Sequence, residues 1–347
     1  MSWRKKLALA AASLLLALLG VEVAYRVRVY GARSLSPRWM ASLSSGGHRR
    51  LVQPSPVPGL PYEYRPNSTF DYKLVEMSTN AHGMRDVERP LAKPAGTLRI
   101  AAVGDSFTMG MGVEFEDIWP RQLESLLNQR SDATRYEVLN FGISGYDLHQ
   151  YASVVEHKLE QFDPDVIVLG VILNDRWPAE ERPLEVAEWE AVDAPEPGLL
   201  DSGWLRPHFL LDALRVMRDE PLGEGRRVVE PPAPPENLRR FSRKGADAIE
   251  PALEPIRAKA EAAGWPVLLA YLTVVPEDRV HGIAARAFKL AARRAGFAFL
   301  DTSPLFEGTE PLEQVIFRYD WHPNADSHAR YARGIRDALQ RNEMLAP

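Results

Sequence analysis

Residues 98–106, which read LRIAAVGDS, decide the fold. The apolar run that ends at Val103 predicts a strand, and Gly104, Asp105 and Ser106 follow it directly. A serine there lies on a strand-to-helix turn at the carboxyl edge of the sheet, where α/β proteins bind ligands. Its hydroxyl is then exposed in a cleft, and its own amide can point at a developing oxyanion. The tripeptide alone is weak evidence, because Gly, Asp and Ser are also common turn and N-cap residues.

From this stretch onward, predicted strands and helices alternate. Short apolar runs indicate strands, and longer segments with helical periodicity indicate helices. Such alternation is typical of an α/β fold in three layers, with helices on both faces of a mostly parallel sheet. The predicted strands are 98–103, 136–141, 166–173, 267–275 and 298–300, and the predicted helices are 119–128, 148–159, 242–263, 282–295 and 324–341.

Three further segments bring chemically useful residues to the same edge of this sheet. Residues 140–146 (NFGISGY) follow the second strand, and their glycines let the backbone approach a ligand and expose an amide. Asn174 and Asp175 close the third strand, where an asparagine amide could donate to an oxyanion. His322, just before the terminal helix, can return to the cleft as a general base, and Asp320 can fix its tautomer.

With these four segments, the chain resembles the SGNH, or GDSL, hydrolase superfamily. The motifs GDSFTMG, FGISGYD, ILND and DWHPN stand in the family's order. The resemblance implies Ser106 as nucleophile, His322 as base and Asp320 as its orienter. It also implies Gly145 and Asn174 as oxyanion donors, on a flavodoxin-like three-layer α/β/α fold. No cofactor and no metal are required by such a site.

The resemblance covers residues 97–345 and departs from the family's pattern at two positions. Leu173 stands where glycine usually precedes the asparagine. Tyr319 stands three residues before His322, where the aspartate is often found. The Asp-x-His spacing of Asp320 is also similar to that of some members of the superfamily, including polysaccharide O-acetyltransferases.

The N-terminus predicts an export signal or a membrane anchor. Residues 4–6 (RKK) precede an uncharged run at 7–21, with Glu22 just beyond it. We favour an uncleaved anchor, because a cleavage site after Ala24 would place Glu22 where a small residue belongs. The catalytic part is then expected on the periplasmic or extracellular side of the membrane, or secreted if the segment is cleaved.

The chain divides by composition into three predicted parts: an anchor at 1–24, a stalk and N-terminal extension at 25–96, and a hydrolase domain at 97–347. Alternation predicts one strand over 70–77, and residues 60–95 are expected to pack on the main domain.

The segment 80–86 (NAHGMRD) follows as a turn. It resembles a segment of anchored superfamily members, which implies that Asn80 and Arg85 support the site or the sheet.

A Pro- and Glu-rich insertion is predicted at about 177–237, leaving the sheet beside the site. Its aromatic residues either line a substrate groove or simply anchor the insertion. They are Trp177, Trp189, Trp204 and Phe209.

Composition excludes several classes of function. The chain of 347 residues has no cysteine, which rules out disulfides, thiolate catalysis and Cys-ligated zinc. A net charge of -5 without a basic stripe argues against nucleic acid as the main partner. The eight histidines show no metal-binding spacing, and His328 is expected on the surface of the terminal helix.

Taken together, the motifs predict acyl transfer through an acyl-enzyme on Ser106. The leading hypothesis is an esterase that removes short acyl groups from a cell-surface glycan or lipid. An O-acyltransferase acting on an extracellular polysaccharide would use the same residues, so the sequence leaves both open. A binding protein without turnover is the third hypothesis, and the complete set of candidate catalytic residues argues against it.

Overall fold

The computed structural model describes residues 2–43, 51–129, 134–175, 245–276, 279–317 and 320–345, together with Leu211. The described residues fall into two compact units. One contains residues 2–43, 71–74 and Leu211, and the other contains the rest. The predicted insertion at 177–237, with its four aromatic residues, and Tyr319 lie outside the described residues, apart from Leu211. The predicted domain boundaries stay predictions.

The first unit is built on a long apolar helix, α1 (Trp3–Tyr30). Its 28 residues span roughly 42 Å at the usual helical rise, and its leucine side chains are exposed. By length and composition the helix could cross a membrane as a signal anchor, and a signal sequence would have the same properties. A 3₁₀ turn (Ala32–Leu35) and the short helix α2 (Pro37–Ala41) follow it.

The remaining described chain alternates strands and helices as predicted. The strands are β1 (Val52–Pro54), β2 (Tyr62–Tyr64), β3 (Thr69–Tyr72), β4 (Val75–Ser78), β5 (Thr97–Gly104), β6 (Arg135–Gly142), β7 (Val166–Val171), β8 (Val267–Tyr271), β9 (Ala298–Asp301), β10 (Val315–Phe317) and β11 (Asp320–Pro323). The α-helices are α3 (Ser106–Met109), α4 (Trp119–Asn128), α5 (Leu148–His157), α6 (Gly245–Ala263), α7 (Arg279–Arg294) and α8 (Ala325–Arg341). Short 3₁₀ turns are Phe115–Asp117, Glu160–Phe162, Ser303–Phe306 and Pro311–Glu313.

The central sheet has five parallel strands in the order β6-β5-β7-β8-β9. Counted along the chain this order is 2-1-3-4-5, which is that of flavodoxin-like folds. Helices α4 and α8 pack together on one face, and on the other face α6 packs against both α5 and α7. The prediction of a three-layer α/β/α fold is confirmed.

Two predicted strands end earlier than expected, because side chains take over the hydrogen bonds of the backbone. Strand β7 stops at Val171, since the amide of Ile172 donates to Asp175 Oδ2 at 2.6 Å. Strand β8 stops at Tyr271 in a similar way: the amide of Thr273 donates to the Thr302 hydroxyl at 3.1 Å.

The prediction of one strand over residues 70–77 is wrong. The chain turns there between β3 and β4, and Lys73 and Leu74 have positive φ angles of 50° and 66°. Non-glycine residues seldom adopt this conformation, and the sequence carries no Gly, Asn or Pro at the turn. The alternating pattern therefore runs through the turn without a signal that would break it.

Part of the N-terminal extension is fixed to the sheet and to α4 by buried ion pairs. The Arg89 guanidinium binds Asp86 at 3.0 Å and Glu124 at 2.5 Å, and all three side chains are largely shielded from water. Glu124 Oε2 also accepts the amide of Val138 in β6 at 2.8 Å. Removing one partner of such a pair would leave the other charge buried without a counter-ion. The network therefore fixes the position of the extension on the domain.

Three glycines lie side by side at the carboxyl end of the sheet. Gly104 of β5 is in register with Gly142 of β6 and with Gly170 of β7. A Cβ on Gly142 would fall within 3.0 Å of backbone atoms of Thr108 and Met109, and one on Gly104 or Gly170 would meet the Thr108 hydroxyl. The bare backbone at this edge is therefore what lets α3 lie directly on the sheet.

A Cβ that clashes with a side-chain hydroxyl and one that clashes with backbone should respond differently to a second substitution. Gly170→Ala should destabilise the protein by about 1–3 kcal/mol through overpacking. The addition of Thr108→Ala should recover much of this loss, because the clashing atom is the Thr108 hydroxyl. Gly142→Ala is the matched control, and Thr108→Ala should not rescue it, because its clash is with backbone. Urea unfolding of the four variants checks this, and equal rescue of both glycine variants would contradict it.

Candidate active site

Ser106 is the first residue of α3, directly after β5. Asp105 is the N-cap of this helix, and its Oδ1 accepts the Phe107 amide at 2.9 Å. The Ser106 hydroxyl lies 2.9 Å from His322 Nε2 and 3.3 Å from Asp105 Oδ2. Only 6% of Ser106 is exposed, so the serine is almost fully buried.

His322 and Asp320 lie on β11, which pairs with β10 in a two-stranded antiparallel sheet. His322 Nδ1 is 2.5 Å from Asp320 Oδ1, and the same oxygen accepts the His322 amide at 3.3 Å. The Phe107 ring packs beside the imidazole, 5.6 Å from it centre to centre. The hydrogen-bonded chain therefore runs from the Ser106 hydroxyl through the imidazole to a carboxylate.

The strand register brings the two predicted oxyanion donors to the same edge. Gly145 lies three residues after Gly142, and Asn174 four residues after Gly170, whereas Ser106 follows the central Gly104 by two. Gly145 has a φ of 83°, a conformation that favours glycine. Asn174 is half-buried, in the turn that Asp175 shapes through its bond to Ile172. Gly145 and Asn174 thus follow the carboxyl ends of β6 and β7, on either side of the strand that leads to Ser106.

Sequence reasoning did not find the residues that hold the Gly145 loop. The Tyr62 hydroxyl donates to the Ser144 carbonyl at 2.8 Å, and the Ser144 amide donates to the Tyr64 hydroxyl at 2.9 Å. The Tyr146 hydroxyl donates in turn to the Tyr62 carbonyl. These partners are about 80 residues apart in sequence, and no spacing rule connects a short strand in the extension with this loop.

His328 is fully buried, so the expectation that it lies on the helix surface is wrong. Its Nδ1 accepts the Trp119 amide at 3.1 Å, which ties α8 to the start of α4. Burial, with a smaller contribution from the charge of Arg85, lowers the pKa of His328 to about 3. The ring is therefore neutral at physiological pH and acts as a hydrogen-bond acceptor in the core.

The arrangement can perform nucleophilic catalysis by a serine hydroxyl. A neutral imidazole whose Nδ1–H donates to Asp320 presents a lone pair on Nε2 to the Ser106 hydroxyl. Among the residues that the structure describes, no group of three or more His, Cys, Asp or Glu side chains is placed to hold a metal ion.

A serine at the edge of a flavodoxin-like sheet, hydrogen-bonded to a histidine that is itself bonded to an aspartate, is an arrangement typical of serine hydrolases. The family model for GDSL-like lipases and acylhydrolases matches residues 102–330, which include all five predicted site residues. The chain belongs to this GDSL-like lipase/acylhydrolase family, and the resemblance seen in its motifs is confirmed. No curated protein matches the chain in sequence.

Solved structures of esterases and lipolytic proteins are similar to this chain at low sequence identity. The crystal structure of TesA shares 16% identity over 70% of this chain and 98% of its own, with a TM-score of 0.44. Axe2, an acetylxylan esterase from Geobacillus stearothermophilus, shares 15% identity over 70% of this chain and 94% of its own, with a TM-score of 0.44. A two-domain esterase, CEX, active on acetylated mannans, shares 14% identity over 71% of this chain and 49% of its own, with a TM-score of 0.43.

The contact between Asp320 and His322 predicts the effect of Asp320→Asn. An asparagine amide would donate to Nδ1 and force the proton onto Nε2, so the imidazole could no longer accept the serine proton. We expect kcat for ester hydrolysis to fall by roughly 10²-fold or more, with an unchanged melting temperature. Steady-state kinetics and thermal unfolding check this. Full activity of Asp320→Asn would show that Asp320 does not orient the base.

Burial of neutral His328 predicts a loss of stability in acid. The folded-state pKa of about 3 lies below the unfolded value of 6.5. The unfolded chain alone therefore takes up this proton as the pH falls below 6.5, and stability is lost from there down to about pH 3. At pH 5 the loss is about 2 kcal/mol.

His328→Gln keeps an acceptor for the Trp119 amide but does not titrate. Urea unfolding at pH 7 and pH 5 should therefore show a smaller drop in stability for the variant than for the wild type. Equal drops in the two proteins would mean that His328 contributes nothing to the acid sensitivity.

Proposed function

We propose that the protein is a serine esterase that removes short acyl groups from a glycan or lipid of the cell surface. One observation carries the proposal: the Ser106 hydroxyl, the His322 imidazole and the Asp320 carboxylate form a continuous hydrogen-bonded chain, with steps of 2.9 Å and 2.5 Å. Family membership supports ester chemistry, and the hydrogen-bonded chain supports the residues assigned to it.

The proposed reaction starts with proton transfer from the Ser106 hydroxyl to His322 Nε2 as Oγ attacks the ester carbonyl carbon. The carbonyl π electrons move onto oxygen, and the amides of Ser106 and Gly145 and the Asn174 side chain donate to that oxyanion. Collapse breaks the bond to the alcohol oxygen, which takes the proton from Nε2. An acyl-enzyme on Ser106 remains.

Water then attacks the acyl carbonyl, again with His322 as base. The second oxyanion collapses, the bond to Ser106 Oγ breaks, and Oγ recovers its proton from Nε2 as the carboxylic acid leaves. Asp320 stays ionised throughout and stabilises the imidazolium in both halves of the reaction. His322 returns each proton that it takes up, and all groups are restored at the end of the cycle. The proposed cycle therefore requires neither a cofactor nor a metal.

We place the enzyme on the outer side of a membrane, held by α1. The apolar run with its preceding cations supports a signal anchor, and the substrate would then be an acylated glycan or lipid within reach of the membrane. The net charge of -5 is consistent with a substrate other than nucleic acid.

An O-acyltransferase is the second candidate. It is favoured by the Asp-x-His spacing of Asp320 and His322, which is similar to that of some polysaccharide O-acetyltransferases. In this reaction a sugar hydroxyl replaces water in the second half, and the same residues handle the protons.

Turnover of a chromogenic acetyl ester by the detergent-solubilised full chain tests the proposal. Ser106→Ala should abolish hydrolysis without loss of stability, and Asn174→Ala should lower kcat by roughly 10²-fold, as for other oxyanion donors. Ser153→Ala is the matched control, because Ser153 is a buried serine on α5 whose hydroxyl donates to the His149 carbonyl, away from His322. Folded wild-type protein that shows no Ser106-dependent turnover would refute catalysis at this site.

The same assay with oligosaccharide acceptors separates the two candidates. An excess of free acetate over acetylated acceptor supports the esterase, and an excess of acetylated acceptor supports the transferase.

A further inference from the structure

Arg85, in the N-terminal extension, binds the C-terminal end of α3, the helix that begins with Ser106. Its guanidinium donates to the carbonyls of Met109 at 3.2 Å, Gly110 at 2.5 Å and Val113 at 2.6 Å. These carbonyls belong to the last residue of α3 and to the loop directly after it. Only 1% of Arg85 is exposed, so the cation is held inside the protein.

The hydrogen bonds of this cation go from its two terminal nitrogens to carbonyl oxygens, and its buried Nε has no hydrogen-bond partner among the described residues. Burial lowers the pKa of Arg85 to about 10, because the loss of water around the guanidinium disfavours its charged form. The carbonyls at the C-terminus of a helix carry partial negative charge, and a buried arginine is well suited to bind several of them at once. The contact therefore fixes three backbone positions with one side chain.

Helix α3 cannot fix its own position, because it has a single turn. Its hydrogen bonds include those from the amides of Gly110 and Met111, both of which donate to the Ser106 carbonyl. One turn of helix is unstable by itself in water, so the position of Ser106 depends on outside contacts. Helix α3 packs on the sheet at the three glycines, and Arg85 binds the carbonyls at its C-terminal end.

A second side chain of the extension holds the other side of the site. The Tyr64 hydroxyl accepts the Ser144 amide at 2.9 Å, one residue before Gly145. Tyr64 is 1% exposed, and the carbonyl of Tyr64 lies against Gly83, two residues before Arg85. One small part of the extension thus contacts both the nucleophile helix and the loop of the predicted oxyanion donor.

We propose that Arg85 and Tyr64 are positioning residues: Arg85 sets the place of the Ser106 hydroxyl through α3, and Tyr64 sets the Gly145 amide through Ser144. The proposal rests on the proposed function. It makes the N-terminal extension part of the catalytic machinery, although neither side chain touches the reacting atoms.

The test compares Arg85→Lys with Arg99→Lys in the full chain. Arg99 is the control: it is fully buried, donates to the carbonyls of Pro90, Leu91 and Phe162, and lies near the opposite end of β5 from Ser106. Unlike Arg85, it also pairs with a buried carboxylate, that of Glu137 at 2.9 Å, so its replacement tests a loss of stability away from the site. Lysine keeps the charge in both variants but cannot bind several carbonyls in the same geometry.

Arg85→Lys should lower kcat for the chromogenic ester by about 10²-fold with little change in KM, as expected when a nucleophile moves by about 1 Å. Arg99→Lys should lower the melting temperature at least as much and leave kcat unchanged. Hydrogen exchange of residues 105–113 should be faster in Arg85→Lys than in Arg99→Lys. If kcat fell in proportion to the melting temperature, by the same ratio in both variants, the proposal would be overturned.

Tyr64→Phe provides a second test if Arg85→Lys does not fold. It removes the hydroxyl that accepts the Ser144 amide, so kcat should fall while the fold is kept. Tyr331→Phe, another fully buried tyrosine, is its control and should keep full kcat. Unchanged kcat in Tyr64→Phe would count against the proposal.

A wild type without esterase activity would refute the proposed function instead. In that case, the exchange rates of residues 105–113 would still decide whether Arg85 holds α3: equal rates in Arg85→Lys and Arg99→Lys would overturn that role.

Discussion

The site depends on how closely α3 approaches the sheet. Three glycines in register, Gly142, Gly104 and Gly170, leave no side chain between the strand ends and this one-turn helix. Ser106 is therefore held at the sheet edge, where its hydroxyl meets His322 at 2.9 Å. A larger residue at these positions would lift the helix, and a hydrogen bond between side chains 216 residues apart would be lost.

Contacts from outside the core of the hydrolase fold complete this arrangement. The extension contributes the guanidinium of Arg85, the hydroxyl of Tyr64 and the ion pairs of Arg89, and each of these groups is buried. Because these contacts are buried, moving one partner would leave a charge or a hydrogen-bond donor unsatisfied. The positions of the partners are therefore tightly constrained. Residues of the extension that the sequence predicts to pack on the main domain therefore contact both α3 and the Gly145 loop.

The sequence predicted the fold and the meeting of Ser106, His322 and Asp320, because both follow from local patterns. Apolar runs such as 166–173 identify buried strands, and the carboxyl ends of parallel strands share one edge. Contacts that depend on tertiary structure could not be predicted. His328 sits in a polar stretch of α8, and only the packing of α4 against that helix shows that it is buried. The turn at Lys73 and Leu74 lacks the residues that normally mark one.

The central claim is that Ser106, His322, Gly145 and Asn174 surround a single reacting carbonyl. A crystal structure of the protein after reaction with a phosphonate that mimics the tetrahedral intermediate tests it most directly. We predict a covalent bond from Ser106 Oγ to phosphorus, with the phosphoryl oxygen about 2.7–3.1 Å from the amides of Ser106 and Gly145 and from the Asn174 side chain. An adduct on another residue, or a phosphoryl oxygen that faces away from these donors, would contradict the account.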